Sequence, residues 1–199
     1  RFLDIRPLAA GGMGQILTAR DPAIDRRVAI KILHPEIASQ GKNLEKFENE
    51  FRLTGQLEHP NIVPVHESGR TEDGRVYFCM KLVKGKSLAE LLEKDAGRLV
   101  GTGTRDRLGV YLRQLIKICD ALAFAHAEGV VHRDLKPANV MVGKFGEVLV
   151  MDWGLAREIR PESSPGEPPG GGLRRQTVEG SVMGTLAYMA PEQARGESG

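Results

Sequence analysis

The stretch GVVHRDLKPANVMV, Gly129 to Val142, sets Asp134, Lys136 and Asn139 in one short loop between an apolar approach and an apolar exit. An acid, a cation and an amide are thereby held against what must be packed core. Downstream, the apolar run EVLVMD ends on a further acid, Asp152. Upstream, the strand-like run RVAIKIL carries Lys31, and a period of two puts Ala29, Lys31 and Leu33 on one face and Val28, Ile30 and Ile32 on the other. Before it, LAAGGMGQI is a glycine-rich turn whose backbone N–H groups can approach phosphate oxygens closely, because side chains are missing there. Taken singly, each feature has an ordinary reading. A lone strand lysine reaches solvent at an edge, glycines make hairpins, Glu50 decorates a solvated helix face and Asp152 forms a turn.

These groups need elements to position them. FLDIRPLA, QILTAR, RVAIKIL, NIVPVHE and VYFCMKLV are short, rich in β-branched or aromatic residues and separated by turn residues, so they read as an antiparallel sheet. Between the third and fourth, NLEKFENEFRLTGQL spaces Leu44, Phe47, Phe51 and Leu57 as one helix against that sheet. Later, LGVYLRQLIKICDALAFAHAEG predicts a long helix with Leu112, Leu115, Ile116, Cys119, Leu122 and Ala123 on one apolar stripe and Gly129 as its stop. Residues 161–172, PESSPGEPPGGG, read as an irregular loop. A chain of 199 residues with 41% hydrophobic residues has the length and core of one domain. A net charge of +2 and a pI near 8.6 argue against nucleic acid as the main partner. The two cysteines, Cys79 and Cys119, read as buried thiols in a reducing compartment, with no disulfide. No apolar run is long enough to span a membrane and no export leader is visible, while Arg1 in place of Met reads as a cut.

Taken together, HRDLKPAN, DWG, the glycine-rich turn, VAIK ending at Lys31, Glu50 on the first helix and APE at Ala190 to Glu192 occur in the order found in protein kinases. The chain resembles the eukaryotic-type family, in particular the bacterial Ser/Thr kinases. The resemblance implies an α+β, bilobal fold, with an antiparallel small lobe and one major helix over residues 1–83. Residues 84–199 would be the first part of a mainly helical large lobe that continues beyond this chain, whose own phosphotransfer would then be weak. It implies ATP and Mg²⁺, with Mn²⁺ as an alternative metal. Leu8, Gly11, Gly12, Gly14, Ile16, Ala29, Lys31, Glu50, Lys81, Val83 and Met141 would bind the nucleotide, with Met80 at the back of the adenine pocket. Asn139 and Asp152 would hold the metal, Asp134 would accept or orient the substrate hydroxyl proton, and Lys136 would neutralise the γ-phosphate. His132 reads as a packed histidine supporting the loop.

GTLAYMAPE and Lys136 resemble the Ser/Thr branch, with Thr185 close to Asp134 and Lys136. Arg133 implies a switch by phosphorylation of the following loop, at Thr177 or Ser181, in trans between two transiently associated copies. Ala9, Trp153, Lys81 and Thr54 depart from the family pattern without removing a catalytic group. The expected partners are ATP and proteins bearing Ser or Thr, with no nucleic acid and no membrane contact from this segment, in the cytoplasm. The alternatives are a nucleotide-binding pseudokinase scaffold and a kinase of small molecules.

Overall fold

A computed structural model describes residues 1–11, 14–38, 41–96, 104–158 and 185–196. Five strands form one antiparallel sheet: β1 (Leu3–Ala10), β2 (Gly14–Asp21), β3 (Arg26–Leu33), β4 (Val65–Arg70) and β5 (Val76–Lys81), in the order β1-β2-β3-β5-β4. The alternation in β3 is realised. Ala29 and Leu33 pack with Phe47, Val63, Val76, Phe78 and Met80 on the inner face, and Val28 and Ile30 pack with Ala19 and Cys79 on the outer one. Between β3 and β4 lie a short helix, α1 (Pro35–Ala38), and the main one, α2 (Gly41–Gln56). Phe47 and Phe51 of α2 meet the ring of Phe78 at centroid distances of 5.2 and 6.1 Å, which seats this helix on the inner face.

The fourth strand starts later than its sequence suggests. Ile62 bridges to Val150, and Val63 donates to the Val150 carbonyl at 3.1 Å, so this run joins the two parts of the chain before the sheet begins. Pro64 supplies no N–H to a ladder and marks the change, while its carbonyl accepts from Lys81 at 3.0 Å.

The second part opens with β6 (Gly85–Ser87) and α3 (Leu88–Asp95), whose start is fixed by a reciprocal capping box between Ser87 and Glu90. Then come α4 (Thr104–Ala127), β7 (Val130–Val131), a 3-10 turn (Pro137–Asn139), β8 (Val140–Gly143), β9 (Val148–Val150), β10 (Arg157–Glu158), another 3-10 turn (Leu186–Tyr188) and α5 (Pro191–Ala194). β6, β8 and β9 form a small sheet, and β10 pairs with β7. The class is α+β. Among the described residues, no helix is long and apolar enough to cross a membrane.

α4 corrects the reading of Cys119 as a buried thiol. Ile118, Ala121 and Ala125 are buried against Val130, Val148, Val150 and Trp153, with Leu122 partly buried. Leu112, Leu115 and Ile116 are about half exposed, and Cys119 is exposed rather than buried. The small alanines let the helix approach the strands closely, whereas the larger side chains that dominate the apolar pattern turn outward. Cys79 is buried, and this burial pushes its thiol up to about 11. The helix ends as expected, with Gly129 at φ 73° and its N–H on the His126 carbonyl. Residues 161–172, Gly12, Thr177 and Ser181 lie outside the described residues.

Candidate active site

β3 is flanked by β2 and β5, so Lys31 is held between Ile16 and Phe78, its direct partners in the sheet. Its ammonium meets both carboxylate oxygens of Glu50 on α2, at 2.5 and 2.8 Å, and Asp152 Oδ1 at 3.4 Å. Burial works against the charge on Lys31, but Glu50 and then Asp152 outweigh it and hold the ammonium above its ordinary value. Glu50 is buried, and desolvation pushes its carboxyl up while Lys31 pulls it down. The 2.5 Å contact identifies a charged pair. Thr54, at a position where the resemblance leads one to expect an apolar residue, is buried and satisfied by donating to the Glu50 carbonyl at 2.6 Å. An ion pair from Arg52 to Glu158, at 2.9 Å, ties α2 to β10.

The loop after β7 is tied at several points. The N–H of Asp134 reaches His132 Nδ1 at 3.3 Å, so the proton of this ring resides on Nε2, which donates to the Met151 carbonyl at 3.0 Å. The ring lies 4.6 Å from the buried indole of Trp153, and burial holds its pKa below the ordinary value. Arg133 and Asp152 have φ of 66° and 60°, a region that costs a side-chain-bearing residue energy and concentrates at functional sites. The Asp134 carboxylate accepts from Lys136 Nζ at 2.7 Å through Oδ2, and from the Thr185 N–H and hydroxyl at 3.0 Å each through Oδ1. Burial alone would raise its pKa, but these donors from Lys136 and Thr185 hold it below the usual carboxylate value. Lys136 also reaches Thr185 Oγ1 at 2.7 Å.

Asn139 is buried, with Nδ2 donating to the Asp134 carbonyl at 2.9 Å and to Oδ2 at 3.2 Å. Its own carbonyl accepts from Met151 at 2.8 Å, which sets this loop beside Asp152. With its nitrogen so engaged, Asn139 offers Oδ1, and Asp152 offers a half-exposed carboxylate. Two hard oxygen donors suit Mg²⁺, which commonly takes one or two protein ligands and completes its shell from phosphates and water.

The structure thus brings together Lys31, Glu50, Asp134, Lys136, Asn139, Asp152 and Thr185. Ala29 and Met80 are buried on the inner face, with Ile16 packed against them. Met141 is partly buried on β8, and Val83 lies just past β5. Gly14 has to be glycine, since a Cβ there would sit 2.2 Å from the Ile32 carbonyl oxygen, and Gly11 closes the turn by donating to the Gly14 carbonyl at 2.9 Å. Leu8 and Lys81 remain exposed. Burial, and then the charge of Arg157, holds the Arg133 guanidinium below its ordinary value. Two supporting residues escaped the sequence reading. Gln193 on α5 donates to the Arg133 carbonyl at 2.7 Å, and Gly154 leaves room for the ion pair, since a Cβ there would lie 3.2 Å from Glu50 Oε2. Only the position of Gln193 beside APE and of Gly154 inside DWG hinted at them.

The family model described as protein kinase domain matches residues 2–198. Serine/threonine-protein kinase PknD of Protochlamydia amoebophila is 38% identical over 204 residues, covering 97% of this chain and 20% of the relative. Serine/threonine-protein kinase PknA of Mycobacterium tuberculosis is 40% identical over 195 residues, covering 96% of this chain and 41% of the relative. PknD of Chlamydia abortus is 34% identical, with 96% and 21% covered. The chain therefore spans between about a fifth and two fifths of the length of these curated relatives.

Proposed function

The chain belongs to the protein kinase domain family, and from that premise we propose that the protein transfers the γ-phosphate of ATP to serine and threonine hydroxyls of other proteins. The relatives named as serine/threonine-protein kinases support the substrate class. The observation that carries the reading is the triad in which Asp134 accepts from both Lys136 and Thr185. An ionised carboxylate and a cation held together in this way support a role in bringing a hydroxyl and a phosphoryl group together.

Phosphoryl transfer depends on positioning and on neutralising charge spread over the moving oxygens. Lys31, steadied by Glu50, would grip the α- and β-phosphates, and the glycine-rich turn would cover them with backbone N–H groups. Mg²⁺, or Mn²⁺ in its place, neutralises phosphate charge when bound, and Asn139 Oδ1 with the Asp152 carboxylate would hold it. Asp134, with its pKa depressed, is ionised at neutral pH and would orient the acceptor hydroxyl and take its proton. Lys136 would meet the developing negative charge on the γ-phosphoryl group.

Regulation would act through Arg133, whose guanidinium, beside Asp134 in sequence, suits pairing with a phosphate. A phosphate on Thr177, or on Ser181, is the proposed occupant, added in trans by a second copy in a transient encounter. Arg174 and Arg175 precede Thr177 and make that segment basic. The cytoplasm, where ATP is abundant, is the proposed setting.

The test is Asp134→Asn in the full-length protein. Transfer should fall by roughly 10²–10⁴-fold, the range for loss of a positioned general base. Mg-ATP binding by calorimetry should be largely retained. Transfer at the parent rate would contradict the assignment.

A further inference from the structure

α5 buries no side chain fully, and of its four residues Pro191, Glu192 and Ala194 are exposed while Gln193 is partly buried. An element that hides so little apolar surface gains little from burial, so directional bonds carry more of its placement. One such bond is distant in sequence and short in space. Gln193 Nε2 donates at 2.7 Å to the carbonyl of Arg133, 60 residues upstream. The main-chain carbonyl of Gln193 accepts from the Gly196 N–H at 3.1 Å, so the turn that ends the helix also fixes where this side chain starts.

The acceptor belongs to the planar peptide unit that leads into Asp134. That unit follows Arg133 at φ 66°, a conformation that costs a residue with a side chain energy and lasts only where its neighbours hold it. Gln193 grips the oxygen of the unit, and His132 Nδ1 accepts from its N–H at 3.3 Å. Two grips at opposite ends fix the rotation of the plane, and with it the direction in which the Asp134 side chain leaves the loop. Further out, Oδ1 of Asp134 accepts from the N–H and hydroxyl of Thr185. Thr185 and Gln193 lie on one downstream segment, which therefore holds Asp134 both by its backbone and by its carboxylate.

We propose that Gln193 is a positioning residue for phosphoryl transfer, a role that rests on the kinase reading: Asp134 is aimed at the acceptor hydroxyl only while residues 185–193 are seated on the loop. Gln193 acts through the peptide between Arg133 and Asp134, not on the reacting atoms. Releasing its grip lets the strained unit relax and swings the carboxylate, and a misplacement of about 1 Å can cost about 100-fold in rate. Lys31, Glu50 and Asp152 are held by their own ion pairs, so the loss falls on kcat and spares KM for ATP.

The test measures phosphate transfer by the full-length protein with Gln193→Met and with Gln193→Glu, which keep the length of the side chain and remove the donor. In both, kcat should fall about 10–100-fold while KM for ATP stays within about twofold of the parent. Adding Gln193→Met to Asp134→Asn separates positioning from mere support of the fold. With the carboxylate gone, the second substitution should lower the residual transfer by less than about twofold, whereas a glutamine that served only the fold would lower it by the same factor in both backgrounds. Parent-like kcat in both single variants, equal losses with and without the Asp134 carboxylate, or loss of Mg-ATP binding by calorimetry in both single variants would overturn the proposal. A parent protein that transfers no phosphate would instead remove the kinase reading itself, so the two failures are distinct.

Discussion

His132 shows how one side chain can serve two loops. Its Nε2 proton is given to Met151, next to Asp152, the proposed metal ligand, and its Nδ1 accepts from Asp134, the proposed base. Both bonds need the neutral ring, and burial holds its pKa below the value near 6.5 that an unfolded chain has. The unfolded state thus binds more protons in the interval between the two values. The stabilisation is fully present above about 6.5 and is lost as pH falls toward the folded value, at about 1.4 kcal/mol for each pH unit between them. His132→Gln removes this titration. Urea midpoints at pH 7.5 and 5.5 should show the parent losing more stability on acidification than the variant, so that the gap between them narrows; parallel losses would mean that His132 titrates alike in both states. The sequence revealed this histidine and the acids and cations around it by type and order. Gln193 and Gly154 were less legible, since their roles are a hydrogen bond and a clearance set by distant elements.

At the scale of elements, the sheet strands and both main helices could be read from periodicity, because alternation in β3 and the Phe47 and Phe51 spacing in α2 each pointed to a single face. α4 could not be oriented that way. It is apolar on more than one side, and the side that packs is chosen by the close fit of Ala121 and Ala125 against β7 and β9. Ile118→Ala should therefore cost about 2–5 kcal/mol in denaturant unfolding, the range for a large-to-small core change. Cys119→Ser should stay within about 0.5 kcal/mol, as is usual for exposed positions. A thiol reagent should label Cys119 rapidly in the folded protein and leave Cys79 unreacted. Similar losses for the two variants would restore the outward stripe to the core. The start of β4 was likewise hidden, because Ile62 and Val63 look like strand residues but are used to join the two sheets.

For the whole molecule, the fold gathers Lys31 from a sheet, Glu50 from a helix, Asp134 and Asn139 from one loop, Asp152 from another and Thr185 from a segment far downstream. Their convergence was anticipated only through the resemblance, since spacing along the chain does not encode such distances. The central claim is that this assembly moves phosphate from ATP to protein hydroxyls, with Lys31 as its anchor. Its most direct test follows γ-labelled ATP into a generic protein substrate with the full-length parent and with Lys31→Met, and identifies the labelled amino acids after hydrolysis. Label on serine and threonine alone, reduced about a hundredfold or more by Lys31→Met, is the predicted result, because a fixed cation at the phosphates is worth several kcal/mol in the transition state. Label on tyrosine, no label on protein, or equal labelling by the variant would contradict it.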